Sequence, residues 1–486
     1  MLGRIAHWAQ HQPDKTAVFF PGRVITYRQF HAKVRQLIWT LSQRGFRKAG
    51  IAAVFGDTLL DDWLLIAALR GMGLDTICPK SPAQLNEMSL HKLSVIVMGE
   101  DTARTATIPH EFFATPRVVV PGALLAAAEV AAVPDPAQVA EGGHMLVTTG
   151  TTGAPKAVHY PGAHEALRSE LRASSFGFAH DTVYYASNFP LYTAVGYKNP
   201  ASTWHCGGTV VIDPLPYHAA LRLPETITSM VLTPALIEGF AASPRVGEAV
   251  RQTAIIRVSG GFLSAGSWEK VRSAFGHPIE VYFAATEIIG IVMRSRVTSL
   301  DALTWLTPEQ GQRVEIVDDN GAVCPAGVEG QLRIGLSEID AKSYVGDAAA
   351  SARTFRDGCF YPGDLAVKRA DGRVRILGRL SDVINVGGLK LAAAPIEHAI
   401  QVALRADEVC VFSGTDRAGN DQVVVACRRV AGLSRSEHAE VEKLVGRLGP
   451  VRVAHLTAFP LSPGAMQKTD RKALRKILLD QPVGKV

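Results

Sequence analysis

The stretch Leu146-Val147-Thr148-Thr149-Gly150-Thr151-Thr152-Gly153-Ala154-Pro155-Lys156 runs from a short apolar segment into four threonines broken by one glycine, then a second glycine and a lysine. Such a loop offers hydroxyls, backbone N–H groups and one cation together, the combination that holds a phosphate anion as it leaves water. It is not a Walker-type loop, because Ala154 and Pro155 separate Gly153 from Lys156. Zinc chemistry is not indicated. The six cysteines, Cys78, Cys206, Cys324, Cys359, Cys410 and Cys427, show no CxxC and no Cys/His cluster at zinc spacing, and read as free thiols of a reducing, cytoplasmic compartment. Near the C-terminus Lys468, Arg471, Lys472, Arg475 and Lys476 recur at helical spacing, which predicts a solvated helix face, with Lys468 set apart below.

The elements that must position these groups follow from composition and patterning. The chain has 486 residues, 47% hydrophobic and 20% charged, enough for about three folding units with a substantial core. Collagen-like, disordered and disulfide-dense classes are excluded. Net charge is +6, but the basic residues are spread along the chain, so nucleic-acid binding is not expected. No secretory signal is visible in Met1 to Thr16, and the most apolar stretch, Pro121 to Val133, is too short to span a membrane and contains Glu129. No internal repeat is seen.

From Ile51 to Pro79 and from Thr182 to Pro214, short Val/Ile/Tyr-rich runs alternate with helix-compatible segments, the grammar of an α/β fold with parallel strands and crossover helices. After about Val314 the runs VEIVD, QLRIG, LAVKR and RVRILG are separated by turns such as Asp371-Gly372, which predicts a small, mainly antiparallel β unit. Beyond the linker Arg379-Leu380-Ser381-Asp382 the order is hairpin, helix from Pro395 through Ala403, hairpin around Ala418-Gly419-Asn420, helix Ser436 to Leu448, strand Val451 to Leu456 and final helix Asp470 to Leu479, a compact α+β module. The expected domains are 1–380 and 381–486.

The threonine loop resembles the signature of the adenylate-forming superfamily, which includes acyl- and aryl-CoA ligases, stand-alone adenylation domains and luciferase-like enzymes. Further stretches resemble that family's motifs in the same order. Phe283-Ala284-Ala285-Thr286-Glu287 is similar to its aromatic-Gly-x-Thr-Glu segment, which implies Phe283 stacking on adenine, Thr286 at the α-phosphate and Glu287 holding Mg²⁺. Ser259-Gly260-Gly261-Phe262 resembles the Gly-Gly turn that lies against adenine. Phe360-Tyr361-Pro362-Gly363-Asp364 resembles the ribose-binding stretch, with Asp364 accepting from both ribose hydroxyls. The stretch from Gly378 to Lys390 is similar to the hinge motif. It implies Arg379 at the ribose, Ser381 at the pivot, Lys390 where arginine is common, and Gly387 and Gly388 along the thiol's path. In Ser462 to Arg471, Lys468 stands where the family carries its catalytic lysine, with Gln467 replacing a glycine.

The resemblance implies attack of a carboxylate on the α-phosphorus of ATP·Mg, release of pyrophosphate, and transfer of the acyl group to the thiol of CoA or of a carrier-protein pantetheine. Catalysis is then mostly positioning and charge compensation by Lys468, Glu287 and the loop from Thr148 to Lys156, Thr151 included. A mobile C-terminal domain turning about Ser381 is implied between the two steps. The acid pocket is expected from Tyr192, Thr193, Gly196, Tyr197, Phe262, Ala284 and Ile288, suited to an aryl or small to medium acyl acid. No aspartate between Phe189 and Tyr197 is available to pair with an α-ammonium. Lys198 is expected to face solvent, with a second substrate carboxylate as its alternative partner. A non-catalytic nucleotide-binding relative is the competing class, motivated by Ser381, Lys390, Gln467 and Thr193.

Overall fold

The computed structural model describes all residues except 47–48, 89, 91, 128–131, 136–138, 150–154, 188, 214–225, 242–249, 262, 264, 387–388, 407, 416–420, 430–431, 446–447, 461–468 and 481–486. The chain divides into two compact units, Met1–Gln312 with Gly335–Phe360, and Arg313–Ile334 with Tyr361–Val486.

The first unit is built on two parallel-rich sheets. In one, strands Thr16–Phe20, Thr209–Ile212, Val183–Ser187, Ile227–Leu232, Val250–Val258 and Ile279–Phe283 lie side by side and parallel. Antiparallel strands flank this run, Arg23–Thr26 on one side and Met293–Arg296 then Thr307–Pro308 on the other. In the second sheet, Arg117–Val120, Val95–Gly99, Ile51–Phe55, Asp75–Ile77 and His144–Thr149 are parallel, and Pro155–Tyr160 returns antiparallel. Parallel strands need crossover helices and are covered on both faces, which is why they read as unbroken Val/Ile runs.

Helix Leu59–Gly71 shows how the core between such layers forms. Thr58 caps it by accepting from the Asp61 N–H, and residues Leu64 to Leu69 are all buried, the pattern of a helix that is apolar all round. Helix Glu165–Phe176 ends at Gly177, whose φ of +66° is left-handed and suits glycine. It packs on helix Ala194–His205, whose first turn is fixed by Thr193: its hydroxyl accepts from the Gly196 N–H at 3.0 Å. Gly196 has no alternative here, because a Cβ would sit 2.1 Å from the Pro190 carbonyl oxygen. Trp204 from the same helix donates its indole N–H to the Ala17 carbonyl and is fully buried.

The second unit contains the antiparallel strands Val314–Val317, Glu329–Gly335, Asp364–Lys368 and Val374–Arg379. It continues with the hairpin Val383–Val386 and Leu389–Ala392, helix Ala393–Leu404, strands Glu408–Thr415 and Asp421–Arg428, helix Arg435–Val445, strand Val451–Leu456 and helix Arg471–Asp480. This is the element order expected from the sequence. Pro395 falls in the first turn of its helix, where no intrahelical N–H bond is lost. The small β unit lies in the same compact unit as the α+β module. Among the described residues no helix is long and apolar enough to cross a membrane.

Candidate nucleotide site

Strands His144–Thr149 and Pro155–Tyr160 pair antiparallel, with Thr148 opposite Lys156, so the two ends of the threonine-rich stretch lie side by side. Gly150, Thr151, Thr152 and Gly153 lie outside the described residues, as does the Thr149 side chain. Lys156, in the second strand pair from the loop end, places its Nζ 5.0 Å from the centroid of the Tyr344 ring. The hydroxyl of Tyr344 donates to Glu287 Oε1 at 2.6 Å, and that carboxylate is only 6% exposed. A cation from the phosphate-type loop and the expected metal carboxylate therefore meet at the two ends of one tyrosine. Tyr344 is itself held, edge-on to Phe355 at 5.1 Å and with its N–H on Ser351 Oγ at 2.9 Å.

The other candidates of this unit gather at the carboxyl ends of adjacent strands, where open parallel sheets place their ligands. Strand Val250–Val258 delivers Gly260 and Gly261, and the φ of +86° at Gly260 is left-handed. Phe262 lies outside the described residues. The neighbouring strand Ile279–Phe283 ends at the partly buried Phe283 and runs on into Ala284, Thr286, Glu287 and Ile288.

Lys198 corrects an expectation. It is not solvent-facing but 7% exposed, and its Nζ donates to the Thr286 carbonyl at 2.7 Å, the Ile288 carbonyl at 2.9 Å and the Tyr160 hydroxyl at 2.9 Å. The physical reason is that the chain leaves its strand at Phe283 with carbonyls that need donors, and this part of helix Ala194–His205 faces them. Burial pushes the Lys198 ammonium well below the usual lysine range and Arg172 adds to this, opposed by Asp340 and Glu287. Tyr160 also donates its hydroxyl to the Thr286 carbonyl. The Glu287 carbonyl accepts from the Ala341 N–H at 3.0 Å, and the Ile289 carbonyl from Arg172 at 2.6 Å. The Ile289 N–H donates to Asp340 Oδ1 at 2.9 Å.

The residues expected to form the acid pocket are placed as follows among the described residues. Tyr192 is buried among Met145, Val147 and Ala157, and its carbonyl accepts from the Val147 N–H at 2.8 Å. Thr193 serves as the helix cap, Ala284 packs on the main core and Ile288 is buried. Tyr197 is sandwiched between His144, 4.1 Å away, and Trp63, 5.3 Å away, and donates its hydroxyl to Glu165 at 3.1 Å. The guanidinium of the fully buried Arg70 bonds the same hydroxyl and pairs with Glu141 at 2.8 Å and Glu165 at 3.4 Å.

In the second unit Asp364 lies opposite Arg379 across two antiparallel strands, with Oδ1 3.2 Å from Arg379 Nε, and Arg379 also donates to the Pro362 carbonyl at 2.8 Å. Ser381 falls in the short turn Leu380–Asp382 and Lys390 in strand Leu389–Ala392; their side chains, and all of Gly387, Gly388 and Lys468, lie outside the described residues. Arg471 departs from the solvated face expected of it. It pairs with Glu397 at 2.7 Å and Asp382 at 3.4 Å and donates to the Val411 carbonyl at 3.1 Å, because the start of its helix docks on the sheet.

The family model for AMP-binding enzymes matches residues 5–339. The chain belongs to the adenylate-forming superfamily. Among relatives of this superfamily, a medium/long-chain-fatty-acid–CoA ligase of Mycobacterium marinum is 30% identical over 293 residues, 58% of this chain and 56% of that protein. A 2-hydroxy-7-methoxy-5-methyl-1-naphthoate–CoA ligase of Streptomyces carzinostaticus is 28% identical over 354 residues, covering 68% and 61%. The chain thus spans little more than half the length of these relatives. The fold is that of o-succinylbenzoate CoA synthetase from Bacillus subtilis, solved with an acyl-adenylate: TM-score 0.80 at 19% identity, covering 99% of both chains.

Sequence reasoning about this adenylate-forming chain missed Tyr344, Tyr160, Arg172 and Asp340. Tyr344 sits in a loop beside Ser343, Gly346 and Asp347 with no strand or helix period to mark it. Arg172 reads as the polar face of an amphipathic helix until the fold shows that face to be covered.

Proposed function

We propose that the chain activates an aryl or small to medium acyl carboxylic acid as acyl-AMP, releasing pyrophosphate from ATP, and then passes the acyl group to the thiol of CoA, as an AMP-forming acid–thiol ligase. The observation that supports this reading is the convergence of Lys156 and Glu287 on Tyr344, a cation and a carboxylate from two stretches distant in sequence. A carboxylate is a poor acyl donor because its leaving group would be oxide; joining it to AMP supplies a better one. Both reactants are anions, so the residues' work is to neutralise and align them.

In this reading the threonine-rich stretch with Thr148, Thr149, Thr151, Thr152 and Lys156 cradles phosphate oxygens, Gly260, Gly261 and Phe283 receive the adenine, and Thr286 meets the α-phosphate. Asp364 and Arg379 serve the ribose, Lys390 a phosphate contact, and Lys468 balances charge during adenylation. Domains 1–380 and 381–486 turn about Ser381 before thiol transfer along Gly387 and Gly388. Glu287 suits Mg²⁺: Tyr344 orients its carboxylate, and this ion is held by one or two carboxylates with substrate phosphates rather than by a full protein cage. Mg²⁺, when bound, supplies charge neutralisation on those phosphates. The location is cytoplasmic, in keeping with six free cysteines.

A pyrophosphate-exchange screen over aryl, short-chain, long-chain and dicarboxylic acids tests the reading, with free CoA and a pantetheine carrier protein offered separately as acceptors. One acid class should support exchange and Lys468→Ala should abolish it while sparing transfer from preformed acyl-adenylate. No exchange with any acid, or equal loss of both half-reactions, contradicts it.

A further inference from the structure

The four consecutive carbonyls of Thr286, Glu287, Ile288 and Ile289 lie beyond the end of their strand, yet each accepts from a donor: Lys198 and Tyr160, the Ala341 N–H, Lys198 again, and Arg172. A lysine ammonium has three donors, and all three of Lys198 are used, two of them on the carbonyls immediately before and after Glu287. Burying such a cation costs several kcal/mol, whereas strand-end carbonyls are ordinarily satisfied by water or local turns. The arrangement therefore does more than fill hydrogen-bond vacancies: two carbonyls flanking one residue, held from a single point, fix the direction in which that residue projects. The third partner, Tyr160, lies on strand Pro155–Tyr160 four residues after Lys156 and so on the same face of it. One bridge, Lys198–Tyr160, ties the backbone of Glu287 to the strand that carries Lys156, and a second, Tyr344, ties the two side chains.

We propose that Lys198, acting with Tyr160, is a positioning residue that aims the Glu287 carboxylate at the metal–nucleotide. The proposal rests on the reading given above. Partners that orient a metal ligand typically contribute 10–100-fold in affinity or activity, and displacement of a reacting group by about 1 Å costs on the order of 10²-fold.

The test uses the full chain with Mn²⁺ in place of Mg²⁺ and ATP as the probe. Lys198→Met keeps the length of the side chain and removes its donors. Free Mn²⁺ is followed by electron paramagnetic resonance, the Mg²⁺ requirement by pyrophosphate exchange, and the thermal midpoint alongside. Affinity for Mn·ATP should fall ~10-fold, the Mg²⁺ requirement should rise by the same factor, and KM for the acid should stay within about two-fold. Unchanged Mn·ATP affinity with only a lowered thermal midpoint overturns the proposal, as does a raised KM for the acid at an unchanged Mg²⁺ requirement, which would make Lys198 a substrate contact. Should Lys198→Met not fold, Tyr160→Phe gives the answer: a fall of roughly threefold is expected, on the scale of one lost hydrogen bond, and no change overturns it. Wild-type protein that binds no Mn·ATP retires the proposed function and this inference with it; wild-type binding with an unaffected variant retires the inference alone.

Discussion

Two buried charge clusters flank helices Glu165–Phe176 and Ala194–His205, and the adjacent residues Tyr197 and Lys198 enter different ones. The cluster around Arg70 joins side chain to side chain: Arg70 with Glu141, Glu165 and Tyr197, and Glu141 with the N-terminal ammonium of Met1 at 3.2 Å. The cluster around Lys198 joins side chains to backbone, and the backbone it holds is the segment bearing Glu287. The difference teaches that equal burial of charge serves two ends. A closed knot of side chains ties distant parts of the chain together, whereas cations spent on carbonyls hold a segment in one conformation. Substitutions in the first should therefore move stability, and those in the second should move the handling of metal and nucleotide.

The largest effect is expected at Arg70. Arg70→Met leaves the buried Glu165 without its cation and Glu141 with only the Met1 ammonium, and should cost ~3–5 kcal/mol in urea unfolding, with the Mg²⁺ requirement of the surviving folded protein unchanged. A shifted Mg²⁺ requirement would merge the two clusters into one functional unit. The same knot predicts an acid limit. Burial raises the Glu165 carboxyl, but Arg70 overrides it and leaves the group below its ordinary value, so its contribution is present above the usual glutamate range and is lost as pH falls through the folded value.

His144, stacked on Tyr197, gives the next effect. Burial, with Arg70 adding, lowers its pKa from the ordinary 6.5 to about 3, and its ring is satisfied as the neutral form by Thr76 at 2.8 Å and the Leu191 carbonyl at 3.2 Å. The unfolded chain takes up a proton near pH 6.5 that the folded chain refuses, so this group removes stability as pH falls, at ~1.4 kcal/mol per pH unit. Asp62, raised to about 7 chiefly by burial, acts in the opposite sense over part of that range, so the readout is a difference. Stability of wild type minus that of His144→Gln should fall by about 2 kcal/mol between pH 6.5 and 5; a flat difference contradicts the assignment.

Tyr344→Phe sharpens the comparison from the other side. It removes one hydrogen bond to a carboxylate, a loss of about 1.5–3 kcal/mol in a fully formed site, and should raise the Mg²⁺ requirement about tenfold while the thermal midpoint moves little. The reverse pattern would class Tyr344 with the Arg70 knot. Thr193→Ala should have the smallest effect, ~1 kcal/mol of stability from a lost helix cap, since the helix it starts carries members of both clusters without itself touching either partner set.

The sequence made the α/β grammar legible because buried parallel strands are apolar without interruption and their turns carry Gly and Thr. It made the family legible, as the AMP-binding match over residues 5–339 bears out, because the stretches that carry the resemblance are short runs of particular residue types. Lys198 was misjudged because a lone lysine is ordinarily solvated, and the groups that consume it, Tyr160, Thr286 and Ile288, come from two other parts of the chain. Tyr344 escaped notice for the same reason: Lys156 and Glu287 meet on it only after folding. Arg471 looked like one of five spaced cations until Glu397 and Asp382 were brought to it. Chemistry confined to a loop shows itself in a sequence, and chemistry assembled across layers does not.

The most direct measurement of the central claim is the fate of a carboxylate oxygen. When an acid labelled with ¹⁸O in both carboxylate oxygens is turned over with ATP and the thiol acceptor, attack on the α-phosphorus and later departure of AMP should leave one ¹⁸O in AMP, seen by mass spectrometry as a gain of about 2 Da. Label in inorganic phosphate, or unlabelled AMP alongside thioester formation, would contradict the account.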